Sequence, residues 1–187
     1  MHSQDFLTET ADIAESIDPA QIERMAKALS EVKGRVYMVG LGGSLANCIH
    51  MAADLRKLCD IDAVAPDNIA ELTAWVNDTD WIHLFAGYMP QHRLTSNDAL
   101  FVLSVGGGTK AVSLPISYTI YWAKGAGMPV FGIVGPDGGE TATHGDYVIK
   151  IPVTNPKHVT PHTEAFQAVI WHCLICHPLL QKRATKW

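Results

Sequence analysis

The sequence predicts a doubly wound, parallel five-stranded α/β sandwich, and three observations carry that prediction. Its strand-length segments are apolar throughout rather than alternating, which marks a sheet covered on both faces. Each segment runs into a loop and then a helical stretch, the order that yields parallel strands joined by crossover helices. The chain has 187 residues, 48% hydrophobic and 18% charged, which suits a single domain over residues 1–187 with no need of a metal or disulfide to fold.

The elements follow in order. Residues 4–17 and 19–32 read as two additional N-terminal helices, with Asp18 as the N-cap of the second and Pro19 at its first helical position. Val36–Val39 is a short apolar strand that ends in Gly40-Leu41-Gly42-Gly43-Ser44, and a helix runs from there to Cys59. Ile61–Ala65 is a second strand, stopped by Pro66. The stretch 68–88 is helical in pattern but broken around Asn77-Asp78-Thr79-Asp80. Leu100–Leu103 leads into Ser104-Val105-Gly106-Gly107-Gly108-Thr109 and a helix to about Lys124. Val130–Val134 is closed by Gly135-Pro136-Asp137-Gly138-Gly139, and Tyr147–Ile151 makes the last strand. A final helix is expected over 161–180, capped by Thr160, with Pro161 at its first position.

Composition removes several classes of function. A net charge of −5 gives no long-range attraction to nucleic acid or an anionic membrane. The N-terminal region alternates acids (Asp5, Glu9, Asp12, Glu15) with apolar residues and has no basic segment before an apolar one, so a soluble, cytoplasmic chain is expected. The longest uncharged stretch, Ala165–Gln181, is interrupted by Gln167, His172, His177 and Pro178 and falls short of a membrane span. The four cysteines are too few for a disulfide framework. Cys173-Leu174-Ile175-Cys176-His177 matches a haem-attachment spacing, but it lies in an apolar helical run where cysteines act as small hydrophobes; no haem is expected.

Both glycine loops follow strands, at the sheet edge where α/β folds bind ligands. Gly42, Gly43 and Ser44 open a helix, where bare amides and the helix dipole favour an anion. Ser104, Gly106, Gly107, Gly108 and Thr109 repeat the device. Neither loop is G-x-G-x-x-G or a Walker loop, so a phosphate ester is expected and a nucleotide cofactor is not.

His50 and Asp54 are four residues apart and share a helical face; Glu164 and His172 are eight apart on one ridge, with Ala168 between. Eight residues span roughly 12 Å of helix, so one ion would touch both only if the side chains converge. From the residues alone, these histidines are equally readable as packed core or interface groups, and Glu164 as a partner of its helix dipole.

Val39-Gly40-Leu41-Gly42-Gly43-Ser44 followed by Ile49-His50-Met51-Ala52-Ala53-Asp54 resembles the opening of a SIS (sugar isomerase) domain, and within that family the phosphoheptose isomerases. The resemblance continues through Asn77-Asp78, the strand and loop at 100–109, Gly135–Gly139, and the last helix with Glu164 and His172. It implies a SIS-type αβα sandwich in which His50, Asp54, Glu164 and His172 surround the substrate and hold Zn²⁺ or a similar divalent metal. It further implies isomerisation of sedoheptulose 7-phosphate to a heptose 7-phosphate through an enediol, with Asp54 as base and His172 as acid. It implies a homo-oligomer, a tetramer by analogy, with residues 1–33 in the subunit contacts. The chain departs from the family pattern at Leu41 in place of Asn, Asp54 in place of Glu, Glu164 in place of Gln, and in the loss of serines from the loop at 104–109. The alternative is a non-catalytic SIS module, a sugar-phosphate sensor or protein-binding regulator. His83, His92, His144, His158 and His162 read as surface or loop histidines, with His162 the one best placed to line the cleft, and Trp75, Trp81, Trp122 and Trp171 as core or subunit-contact residues.

Overall fold

Five parallel strands, Val36–Val39 (β1), Ala63–Val64 (β2), Ala99–Ser104 (β3), Val130–Val134 (β4) and Tyr147–Lys150 (β5), pair in the order β2-β1-β3-β4-β5 in a computed structural model that describes residues 1–89 and 93–186. The described residues also form seven helices: His2–Ser16 (α1), Pro19–Ser30 (α2), Gly43–Cys59 (α3), Ile69–Asp78 (α4), Leu114–Gly125 (α5), Gly139–His144 (α6) and Val159–Ile175 (α7). A 3₁₀ turn covers Trp81–His83.

The unbroken apolar runs are explained by two cores. Val36 and Met38 point into one, with Met25, Leu29, Met51, Leu55, Phe166 and Trp171 from α2, α3 and α7. Tyr37 and Val39 point into the other, with Phe85, Met89, Ile116 and Ile120. Successive side chains of a strand face opposite ways, so a strand with helices on both sides must be apolar at every position. β1, β3 and β4 are buried along their whole length for this reason.

The doubly wound parallel sheet is as the sequence predicts, and the differences lie at element ends. The second strand shrinks from 61–65 to two residues at the sheet edge. α6 was not anticipated; six residues are too short for a helical period to register, although parallel pairing of β4 with β5 requires a crossover there. α7 begins at Val159 with His158 in the N-cap position, so Thr160 and Pro161 lie inside the first turn, and it ends at Ile175, ahead of Pro178. Cys173 and Cys176 are exposed rather than buried among apolar neighbours, whereas Cys48 and Cys59 are buried. Among the described residues no helix is long and apolar enough to cross a membrane.

Candidate functional site

The site is built where α3 and α7 lie side by side. α3 starts immediately after β1, and Gly42 holds its N-cap position at φ +59°, ψ −129°, a conformation that favours glycine. Gly40 is equally constrained, since a side chain there would press on the Leu103 carbonyl and the Ser44 backbone. The helix therefore leaves the sheet tightly, and Asn47, His50 and Asp54 fall on its α7 side. The Asn47 amide donates to the Glu164 carbonyl at 3.0 Å and to Gln167 Oε1 at 3.2 Å, which sets the two helices against each other.

Within that frame His50, Asp54 and His172 converge: each offers a ligand atom within 4.8 Å of the other two. His50 Nε2 is 3.6 Å from Asp54 Oδ2, and the His50 and His172 rings meet edge to face at 5.5 Å. His172 Nδ1 donates to the Ala168 carbonyl at 2.8 Å. In the neutral ring this bond leaves the Nε2 lone pair free, the form a metal or a proton requires. Trp171 completes the cluster. It is fully buried, stacks on His172 with centroids 3.4 Å apart, and meets the edge of His50 at 4.7 Å. The donor set of two imidazoles and a carboxylate fits Zn²⁺ or a similar borderline divalent ion.

Glu164 does not join these three. Its carboxylate lies against Gly43 at the start of α3, where any Cβ on residue 43 would collide with it. Two helical turns separate it from His172, and the side chains do not converge across that distance. A negative group thus already stands at the amide-rich end of α3, which favours negative charge there.

The second glycine loop is tied down from behind. Gly107 and Gly108 take φ of +68° and +83°, and their carbonyls accept hydrogen bonds from Thr141 and Glu140 of α6. Because a trans peptide holds N–H and C=O on opposite sides, the Gly108 amide faces away from α6. Both hydroxyls of the predicted phosphate loop are engaged locally: Ser104 Oγ accepts from the Gly107 amide at 3.0 Å, and Thr109 Oγ1 bonds both polar backbone groups of Val112. Among the described residues the buried Ser117 hydroxyl beside Gly108 has no hydrogen-bond partner.

The cluster is open to solvent on one side, with His50 60% exposed and Asp54 19%. Ile49 and Val169 are exposed apolar neighbours of His50 and His172 in sequence. A cavity of about 350 Å³ lies beside α3, lined by Ile49, Ala53, Arg56, Asp67, Glu71 and Tyr88, and the three converging residues are not in its wall.

Two side chains of this region, Asn47 and Gln167, escaped sequence reasoning, and Trp171, read as a core residue, is buried but also walls the site. Asn47 continues the polar stripe of His50 and Asp54 one turn earlier, a usable signal. Gln167 and Trp171 carry no such signal, because their roles come from packing against another element. Of the scattered histidines, His83 and His144 pair with Asp80 and Glu140 within their own turns. His162, expected at the surface, is buried, and with His158 it meets Glu9 of α1. His92 lies outside the described residues.

No family model matches the chain. Its sequence is 30% identical over 147 residues to the phosphoheptose isomerase of Rhodospirillum rubrum, a match covering 75% of this chain and 73% of that protein. It is 32% identical over 124 residues to the phosphoheptose isomerase of Haemophilus ducreyi, covering 64% of this chain and 61% of the other. The fold is similar to the solved structure of phosphoheptose isomerase GmhA from Neisseria gonorrhoeae, with a TM-score of 0.78 and 22% identity over 93% of each chain. It is also similar to the Vibrio vulnificus NanR protein complexed with ManNAc-6P, with a TM-score of 0.67 and 15% identity over 92% of this chain and 59% of that one.

Proposed function

The chain belongs to the SIS-domain family that includes the phosphoheptose isomerases, and from that membership we propose that it interconverts the ketose and aldose forms of a sugar phosphate, with sedoheptulose 7-phosphate and a heptose 7-phosphate as the pair. The observation that carries this reading is the convergence of His50, Asp54 and His172 from two helices.

The chemistry is a proton transfer between neighbouring carbons. Asp54 takes a proton from C1 of the ketose while His172, protonated at Nε2, gives one to the C2 oxygen, and an enediol forms. His172 then takes the proton from the C1 hydroxyl as Asp54 returns its own to C2, which leaves the aldose and both residues as they began. The Nδ1–H bond to Ala168 keeps the imidazole oriented through both halves. In a metal-loaded site His50, Asp54 and His172 would instead hold a divalent ion, which would supply Lewis-acid polarisation of the sugar oxygens in place of the Nε2 proton of His172. The amides of Gly42, Gly43, Ser44 and Gly108 are the proposed phosphate donors, with the Ser104 and Thr109 hydroxyls shaping the second loop. The open side of the cluster supports a homo-oligomer in which a second copy covers it.

A second reading, ligand sensing without turnover, is favoured by the Glu164 carboxylate beside Gly43, a negative charge where the phosphate is expected. One experiment separates them. Sedoheptulose 7-phosphate incubated with the protein in deuterium oxide should give aldose product and deuterium next to the carbonyl. Saturable binding of the sugar phosphate with neither product nor exchange would replace the isomerase by the sensor.

A further inference from the structure

Among the described residues a second group of metal-ligating side chains forms at the N-terminal end of α7, 10 and 14 residues before His172, and it joins α7 to α1. Glu9 comes from α1; His158 stands in the N-cap position of α7; His162 follows one turn later. Glu9 Oε2 is 2.7 Å from His158 Nδ1 and 2.9 Å from His162 Nε2, and all three donor atoms lie within 4.8 Å of one another. His162 is 1% exposed, His158 22% and Glu9 23%, so the group is shielded but reachable. Phe6 stacks on His162 at 4.2 Å and meets the edge of His158 at 5.2 Å, fixing both rings from the α1 side.

We propose that Glu9, His158 and His162 form a second divalent-cation site, suited to Zn²⁺, that pins the first helix to the last. The spacing His158-x₃-His162 places both imidazoles on one helical face, as paired zinc ligands require, and a remote carboxylate completes a three-ligand set with a fourth position for water. Hydrogen bonds to Glu9 from both rings and from Asn155 leave one contact of the group without a matching donor and acceptor. Asn155 Nδ2 donates to Glu9 Oε1 at 2.7 Å, and its orientation is fixed because its Oδ1 accepts from the Lys157 amide. That same Nδ2 also stands 3.1 Å from His158 Nδ1. His158 Nδ1 has one in-plane valence facing both a carboxylate and an amide N–H. A proton there suits Glu9 and opposes Asn155; a lone pair does the reverse. A cation between the ring and the carboxylate takes the lone pair and the negative oxygen together. Tetrahedral zinc needs donor–donor edges of about 3.3 Å, so the group opens by roughly half an ångström, within reach of the Glu9 side chain.

The test uses the full chain carrying His50→Ala and His172→Ala, which removes the other cluster. After dialysis against chelator it is titrated with Zn²⁺ and, for its ligand-field spectrum, with Co²⁺. The expected result is one equivalent bound, visible absorption of a tetrahedral Co²⁺ centre, and a melting temperature that rises with zinc. Adding Glu9→Gln or, separately, His158→Ala should abolish the spectrum and weaken binding at least 100-fold; the partly exposed His158 can be truncated with the buried His162 left in place, and far-UV circular dichroism confirms the fold. Absence of saturable binding in the His50/His172 variant, or binding that survives both further substitutions, overturns the site. Neither outcome touches the isomerase reading, which rests on other residues.

Discussion

The Asn47 side chain of α3 donates to Gln167 Oε1 of α7 at 3.2 Å, one turn before His50 and five residues before His172. The same amide also bonds the Glu164 carbonyl, and Gln167 is fully buried. One polar side chain thus sets the axial register of the two helices whose outer positions carry the converging groups. Asn47→Ala removes two hydrogen bonds and leaves the buried Gln167 Oε1 without this donor, at a cost of about 1–2 kcal/mol. For a chain of this size that lowers the melting temperature by roughly 3–6 °C. An unchanged thermal midpoint would show that the pair does not hold the helices.

Asp54→Asn and His172→Asn should behave differently from Asn47→Ala. Their side chains reach solvent, so each variant should melt within about 1 kcal/mol of the parent. Removal of a proton-transfer group should nevertheless lower isomerase turnover by about 10²–10⁴-fold. The ratio of product formation to folded protein reads this directly. Loss of activity in proportion to loss of fold would move both residues out of the chemistry.

Trp171 couples the core to the site. Its buried indole forms the wall on which His172 stacks and against which His50 rests. Trp171→Leu should cost about 3 kcal/mol through the cavity it leaves. Trp171→Phe keeps an aromatic wall and should restore most of the lost turnover. A pH–rate profile shifted in the Leu variant and restored in the Phe variant would mark Trp171 as a positioning residue rather than filler; equal profiles in all three would not.

The sheet was legible because burial on both faces leaves a mark at every position of β1, β3 and β4, and because glycines at 40–44 and 106–108 punctuate the strand ends. Two of the four proposed metal ligands, His50 and Asp54, were legible as one face of one helix. His172 was legible only through a resemblance, since its distance to them depends on how α3 packs on α7. Glu164 was placed with His172 on one ridge, yet eight residues of helix carry the two carboxylate-bearing and imidazole-bearing ends apart, and Gly43 leaves room for the carboxylate at the other end of the groove. The meeting of Glu9 with His158 and His162 spans about 150 positions and had no local signature. α6 was too short to announce itself.

Thiol chemistry should sort the four cysteines by position. Burial pushes the Cys48 thiol far up and the Cys59 thiol to about 11, while Cys173 and Cys176 are exposed. At pH 8 iodoacetamide should modify Cys176 and then Cys173, leaving Cys59 and Cys48 intact, since the thiolate is the nucleophile. A raised folded pKa means that the protonated thiol stabilises the fold fully below the unfolded value of about 9, and this is lost as the pH climbs from there toward 11. Mass spectrometry after timed alkylation should show Cys59 labelling emerge across that interval together with a falling melting temperature. Rapid labelling of Cys59 at pH 8 would contradict its burial.

Glu164→Gln tests whether the carboxylate beside Gly43 competes with the substrate's phosphate. The substitution keeps shape, so packing against Gly43 survives, and it removes one negative charge from the amide end of α3. Two like charges a few ångströms apart near a surface repel by about 1–4 kcal/mol. Relief of the lower figure corresponds to roughly fivefold tighter binding of a sugar phosphate. Electrostatic relief must also shrink with salt, because the screening length falls to about 3 Å at 1 M. Calorimetric titration of parent and variant at low and high ionic strength therefore separates the causes. A gain that vanishes in salt assigns the repulsion to Glu164, whereas equal affinities at low salt would place the phosphate elsewhere than at the start of α3.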